Sequence, residues 1–138
     1  MPDGTYTLLL ELPAAATVTF GAAGDYDLEA GWYAYTGSAF GPGGLSRVAR
    51  HRRVARGEHD VRHWHVDYLT GHSDTELDAV YVSEGDDREC AVARALNDAG
   101  DALAGLGASD CDCESHLAYA PARATLAAVA RAEHETRR

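Results

Sequence analysis

The stretch Trp32–Arg53, WYAYTGSAFGPGGLSRVARHRR, decides how the rest of the chain is read. Its aromatic start, Trp32 to Thr36, has the character of a strand. Gly37 to Gly43 is a turn dense in glycine and small residues, and a helix opens near Gly44. On that helix Arg47, Arg50 and His51 stand three and four residues apart and so share a face, with Arg53 and Arg56 following. Cations set just beyond a glycine-rich turn suit a phosphate. Its candidate partners are Gly37 and Ser38 of the turn, the helix N-terminus, and Arg47, Arg50 and Arg53.

Upstream, Gly4 to Leu12 reads as a strand with Tyr6, Leu8, Leu10 and Leu12 on one face and Thr5, Thr7 and Leu9 on the other. Ala16 to Phe20 alternates again, Gly21 to Gly24 is a turn, and Asp25 to Ala30 is a short strand or a loop leading to Trp32. Three close β segments separated by glycine predict an antiparallel meander. Downstream, the helix is expected to end near Gly57. If His63 to Leu69 (HWHVDYL) is a strand, its alternation puts His63, His65 and Asp67 on one face and Trp64, Val66 and Tyr68 on the other. Leu77 to Val82 is a strand. Asp86 and Asp87 are N-cap candidates for a helix over Glu89 to Ala99. Gly100 to Ser109 is a short helix or a loop, His116 to Ala120 a short strand, and Pro121 starts a last helix reaching about His134. Residues 135–138 are expected to fray. The fold class expected is α+β, a small antiparallel central sheet flanked by helices, in one domain spanning 1–138.

The 22 acidic residues face 12 basic ones, all arginine, and lysine is absent. Acidic excess of this kind suits a protein kept hydrated in strong salt, a halophile pattern. The net charge of −10 does not then exclude nucleic acid. Screening at about 1 M salt confines charge effects to roughly 3 Å, so the local map decides. Half of the arginines lie between Arg47 and Arg62, opposed there only by Glu58 and Asp60. A plain solvated basic helix explains the same run. No apolar run approaches a bilayer span, and the N-terminal MPDGTYTLLLELP has no basic region and an apolar run broken by acids. A cytoplasmic protein with no membrane partner is expected. Three cysteines without a secretory signal argue against a disulfide framework.

Two tripeptides stand in order: Gly4-Thr5-Tyr6 on the first strand and Tyr35-Thr36-Gly37 on a later one. Arg47 follows ten residues after that glycine, and His51 one helical turn further. This ordered set resembles the GIY-YIG nuclease superfamily. YTGSA, GGLSRVARH, HWHVDYL, ECAVA and SDCDCESHL together resemble its archaeal and bacterial branch called Uri superfamily endonucleases, over about four fifths of the chain. The resemblance implies a small antiparallel sheet flanked by helices and divalent-metal-dependent hydrolysis of DNA phosphodiester bonds. It implies that Tyr6 takes the proton of the attacking water, Tyr35 positions water or phosphate, Arg47 holds the scissile phosphate and His51 assists as hydrogen-bond partner or proton shuttle. Glu89 would bind Mg²⁺ or Mn²⁺. A phenol with a pKa near 10 is a poor base unless a cation lowers it. Threonine stands where the family name has isoleucine, on a side chain expected to point away from the site. The long interval from Tyr6 to Tyr35 implies an extra hairpin, and Asn97 is the only candidate for the asparagine of some relatives.

Two further clusters carry potential chemistry. His63, His65 and Asp67 on one strand face are possible metal ligands, or support for the site, or structural hydrogen-bonders. Cys111, Cys113 and His116, with Cys90, are a possible Zn²⁺ site, although the spacing is not that of a standard knuckle and buried thiols in a turn explain it equally. Two other functions therefore stand beside the nuclease: a non-catalytic nucleic-acid-binding domain on the same fold, and a metal-stabilised structural or adaptor domain. No G-x-S-x-G elbow, Walker loop or Rossmann glycine fingerprint is present.

Overall fold

Leu8, Leu9 and Leu10 are each fully buried although they point to alternate faces, so the strand that carries them is covered on both sides. That strand, β1 (Gly4–Leu12), is central in an α+β fold. The computed structural model describes residues 3–20, 24–40, 43–57, 65–72, 75–103, 115–134 and 136–137. After β1 come β2 (Ala16–Thr19), β3 (Asp25–Leu28), β4 (Gly31–Ser38), α1 (Ser46–Ala55), α2 (His65–Thr70), β5 (Glu76–Glu84) and α3 (Glu89–Ala99). They are followed by β6 (Asp101–Ala102), β7 (Leu117–Ala120), α4 (Arg123–Glu133) and β8 (Thr136–Arg137). Among the described residues six strands form one antiparallel sheet in the order β6-β7-β4-β1-β5-β8, and β2 pairs with β3 in a second. The expected meander is thus replaced by a separate hairpin between β1 and β4, the insertion implied by the long interval between the tyrosines.

The sheet divides two apolar layers. Tyr6, Leu8, Leu10, Tyr35, Val80 and Val82 pack with Leu45 and Val48 of the α1 region, Val66 and Leu69 of α2, and Val18 and Leu28 of the hairpin. Leu9, Ala34 and Tyr81 face Val92 and Leu96 of α3 and Leu126, Ala127 and Ala130 of α4. The small alanines let α3 and α4 lie close to the sheet where large aliphatics are scarce.

The described part of HWHVDYL, from His65 on, departs from its expected strand. His65–Thr70 is a helix, with Val66, Leu69 and Thr70 buried at helical spacing. Its β-branched and aromatic residues favour a strand locally, but tertiary packing of the i, i+3, i+4 set against α1 and the sheet overrides that preference. His63 lies outside the described residues. The C-terminal tail also departs from expectation. Thr136 and Arg137 pair with Val82 and Tyr81 as an added edge strand instead of fraying.

That edge is pinned by His134. Its ring lies within 2.7 Å of Thr7 Oγ1 through Nε2 and 3.0 Å of Ser83 Oγ through Nδ1, and stacks on Tyr81. Burial, then the Arg88 charge, lower its pKa to about 4, against an opposing pull from Glu133. The unfolded chain takes up this proton near pH 6.5 and the folded one does not, so the contribution is complete above about 6.5 and shrinks as pH falls toward 4. Between pH 7 and pH 5 the wild type is expected to lose roughly 2 kcal/mol more stability than His134→Gln. Urea unfolding of both chains at the two pH values checks this; equal losses exclude His134 as the source.

Candidate functional site

The antiparallel register sets Gly4 against Glu84 and Thr5 against Ser38, so the start of β1 and the ends of β4 and β5 meet at one end of the sheet. From this end the chain leaves β4 for α1 and leaves β5 for α3. Both helices therefore begin where the two tyrosine tripeptides lie, although they cover opposite faces.

Tyr6 and Tyr35 project to the α1 face, their ring centroids 6.5 Å apart. His51, one turn past Arg47, is fully buried against both rings, at 5.3 Å from Tyr6 and 6.4 Å from Tyr35. The Tyr6 hydroxyl lies 2.7 Å from His51 Nε2, a short hydrogen bond. Two phenols and one imidazole thus converge in a single buried group. Gly37 lies directly opposite Tyr6, and its missing Cβ leaves room for the Tyr6 ring. Its place in the site is steric.

The α1 helix supplies its cations differently from the expectation. Arg47 Nη1 donates to the Ser38 carbonyl at 2.5 Å, which fixes its guanidinium beside the end of β4. Ser38 thereby acts through its main chain as an anchor for Arg47. Arg50, expected to contact phosphate, has its fork engaged by Asp67, with Nη1 to Oδ1 and Nη2 to Oδ2 both at 3.0 Å. Arg53 is exposed on the helix side away from Val48, His51 and Val54. The N-terminal amides of α1 were a second expected anion site. Ser46, Arg47 and Val48 instead donate to the carbonyls of Gly43, Gly44 and Leu45, in a turn that φ values of +83° and +49° at the two glycines make possible.

Glu89 opens α3 and is about one-fifth exposed. Its charge reaches both phenols. Burial raises Tyr35 most, followed by Glu89 and Asp67, with Arg47 opposing. Tyr6 is raised well above the ordinary phenol value by burial, then Tyr35, Glu89 and Asp67, again against Arg47. Arg88 turns the other way, its guanidinium binding the Glu133 carbonyl and carboxylate. His116 Nδ1 lies 3.5 Å from Glu89 Oε2.

Thr5 is a residue that sequence reasoning passed over. Its hydroxyl donates to the Asp86 carbonyl at 2.8 Å and accepts from the Arg88 N–H at 2.9 Å. The middle residue of the first tripeptide thus fastens the start of α3, and with it Glu89, to the strand that carries Tyr6. Asp86 and Asp87 do not cap α3, whose N-cap position is Arg88. The signal was a threonine on the strand face opposite Tyr6 and Leu8, in a stretch otherwise rich in large apolar residues.

Asp67 reaches the site from α2, its Oδ1 3.6 Å from His51 Nδ1 and its side chain fully buried. The expected strand triad of His63, His65 and Asp67 does not exist in that form, since His65–Thr70 is helical. Cys90 is disulfide-bonded, contrary to the reading of the cysteines as unpaired, so it does not serve as a thiolate ligand for zinc. Cys111 and Cys113 lie outside the described residues. Asn97 donates to the Ser115 carbonyl at 2.9 Å, a structural tie between α3 and the approach to β7. A cleft of about 460 Å³ lined by Arg52, Arg56 and Glu76 to Val80 lies toward the other end of β5, away from the tyrosines.

Among the described residues no group of three or more His, Cys, Asp or Glu is gathered as a metal cage, and no helix is long and apolar enough to cross a membrane. One partly exposed carboxylate is nonetheless a fit donor for Mg²⁺, which takes one or two carboxylates and keeps several waters. A cation there would offset the negative field that raises both phenols. In comparison with known proteins, a family model described as a domain of unknown function, DUF123, matches residues 5–138. No curated protein and no solved structure matches.

Proposed function

We propose that this chain, which belongs to the DUF123 family, is a divalent-metal-dependent endonuclease of the GIY-YIG type, within its Uri branch, and hydrolyses DNA phosphodiester bonds. The observation that carries the reading is the buried Tyr6 hydroxyl at 2.7 Å from His51 Nε2, with Tyr35 and the Ser38-anchored Arg47 beside it. Hydrolysis needs a base for water, a cation on the phosphate and charge stabilisation for the leaving oxygen. Arg47, held beside the end of β4 by the Ser38 carbonyl, is the phosphate cation. Glu89 would hold Mg²⁺ or Mn²⁺, which when bound supplies Lewis-acid stabilisation of developing negative charge.

Tyr6 and His51 handle the proton. As water attacks phosphorus, its proton passes to the Tyr6 oxygen while the Tyr6 proton passes to His51 Nε2. The phosphorus–oxygen bond to the leaving sugar oxygen breaks, and that oxygen takes a proton from solvent. The raised pKa of Tyr6 keeps the phenol protonated until substrate arrives, so the transfer to His51 accompanies attack instead of preceding it. Nicking of supercoiled DNA with Mg²⁺ or Mn²⁺ in strong KCl is expected from the wild type and is expected to vanish in Glu89→Gln and Arg47→Ala. Retention of DNA binding by a wild type that never nicks would assign the fold to a binding role and overturn the enzyme.

A further inference from the structure

Arg50 and His51 are neighbours on α1, yet both reach the same carboxylate on another helix. Asp67 is fully buried, and both its oxygens are taken by the Arg50 fork. A buried carboxylate with a bidentate arginine stays ionised, and the pair is costly to break. Why an anion sits at this depth is answered by what its Oδ1 faces: the Nδ1 edge of His51, at 3.6 Å.

We infer that Asp67, held by Arg50, is a positioning residue that fixes His51 in the Nδ1–H tautomer, leaving Nε2 as the acceptor for the Tyr6 hydroxyl. The inference rests on the proposed reaction for its purpose, though not for its geometry. A neutral imidazole carries one proton, on either nitrogen. With the proton on Nδ1, the ring turns a positive edge toward the carboxylate oxygen. With it on Nε2, a nitrogen lone pair would oppose that oxygen, and Nε2 would donate to Tyr6 instead of accepting from it. At 3.6 Å the separation exceeds a hydrogen bond, so the carboxylate acts through its field, which a buried setting preserves. Three groups that face His51 among the described residues favour this one arrangement. Tyr6 from β1 is a protonated phenol at 2.7 Å, Tyr35 from β4 meets the ring with its edge, and Asp67 from α2 lies at the far nitrogen. Arg47 and Arg50 of the same helix are turned to the Ser38 carbonyl and to Asp67. Arg50, read from sequence as a phosphate ligand, is the counter-ion of this device.

The test is a long-range ¹H–¹⁵N spectrum of the histidine rings in the labelled full-length chain, without metal or DNA, with His51 assigned by comparison with His51→Gln. A wild-type His51 protonated on Nδ1 and bare on Nε2 is the expected result; a proton on Nε2 overturns the inference. Asp67→Asn is expected to raise the Nε2–H fraction and to lower the single-turnover nicking rate by about 10²-fold, with DNA affinity changed less than about twofold. Asp67→Glu is expected to recover part of the rate. Nicking by Asp67→Asn within twofold of wild type also overturns the inference. If Asp67→Asn fails to fold, the wild-type spectrum alone decides. A wild type that never nicks DNA sinks the proposed function, while the spectrum still judges the role of Asp67.

Discussion

Tyr6→Phe is expected to lower the single-turnover nicking rate by about 10²–10⁴-fold, the span for loss of a positioned proton-transfer group, while DNA affinity stays within about threefold. The substitution removes one oxygen and nothing else. The ring keeps its place in the apolar layer with Leu8, Leu45 and Val48, since Tyr6 is only 2% exposed and its packing is that of the ring. What disappears is the hydroxyl at 2.7 Å from His51 Nε2. The fold loses one buried hydrogen bond, and an imidazole nitrogen is left without it, a cost of roughly 1–2 kcal/mol. Thermal unfolding separates that small loss from the large kinetic one. Arg47→Ala is the contrasting variant. It is expected to weaken DNA binding as well as the rate, because a guanidinium on the phosphate acts before and during attack. Nicking by Tyr6→Phe within tenfold of wild type removes Tyr6 from the proton path and leaves His51 to act on water directly.

The elements most visible in the sequence were those where one period dominates. Glu89 to Ala99 was expected as a helix and is one, because its apolar residues recur on one face. The two faces of β1 were written in Tyr6, Leu8 and Leu10 against Thr5, Thr7 and Leu9, but the burial of both was not, because two threonines on the second face do not announce the helices that cover it. The convergence of Tyr6, Tyr35 and His51 was also legible, since two adjacent strands and a helix turn leave few placements. What the residues did not disclose was long-range pairing. HWHVDYL alternates like a strand, and the fit of Val66 and Leu69 under α1 makes the part from His65 on a helix. The attachment of Arg50 to Asp67 joins positions 17 residues apart across two helices, and no local pattern encodes it. Thr5 illustrates the same limit. Its direction away from the tyrosines was predictable by parity, but its partners at Asp86 and Arg88 lie more than 80 residues away.

Gly37→Ala is the second large effect expected, and it tests whether Tyr6 must sit where it does. Gly37 has an ordinary negative-φ strand backbone, so alanine there carries no conformational penalty. The obstacle is space. A Cβ on Gly37 would stand 2.5 Å from the Tyr6 hydroxyl oxygen, 2.6 Å from Tyr6 Cζ and 3.1 Å from Tyr35 Cε2. Ordinary carbon contacts begin near 3.5 Å, so the Tyr6 ring must move by roughly 1 Å. The ring is buried and closely packed, and the movement carries the hydroxyl off His51. Overpacking of this kind costs about 1–3 kcal/mol of stability. A 1 Å misplacement of a reacting group costs on the order of 10²-fold in rate. Urea unfolding and single-turnover nicking are the two measurements. The double variant with Tyr6→Phe supplies the logic. If Gly37 acts on the rate through the Tyr6 hydroxyl, adding Gly37→Ala to Tyr6→Phe lowers nicking by less than about threefold further, because the group it displaces is already gone. A full additional 10²-fold loss would instead place the effect on Tyr35 or on the path of the phosphate past Ser38 and Arg47. A Gly37→Ala chain that nicks at wild-type rate would mean that the Tyr6–His51 contact can be broken without consequence, and the proton path proposed for this site would then have to run elsewhere.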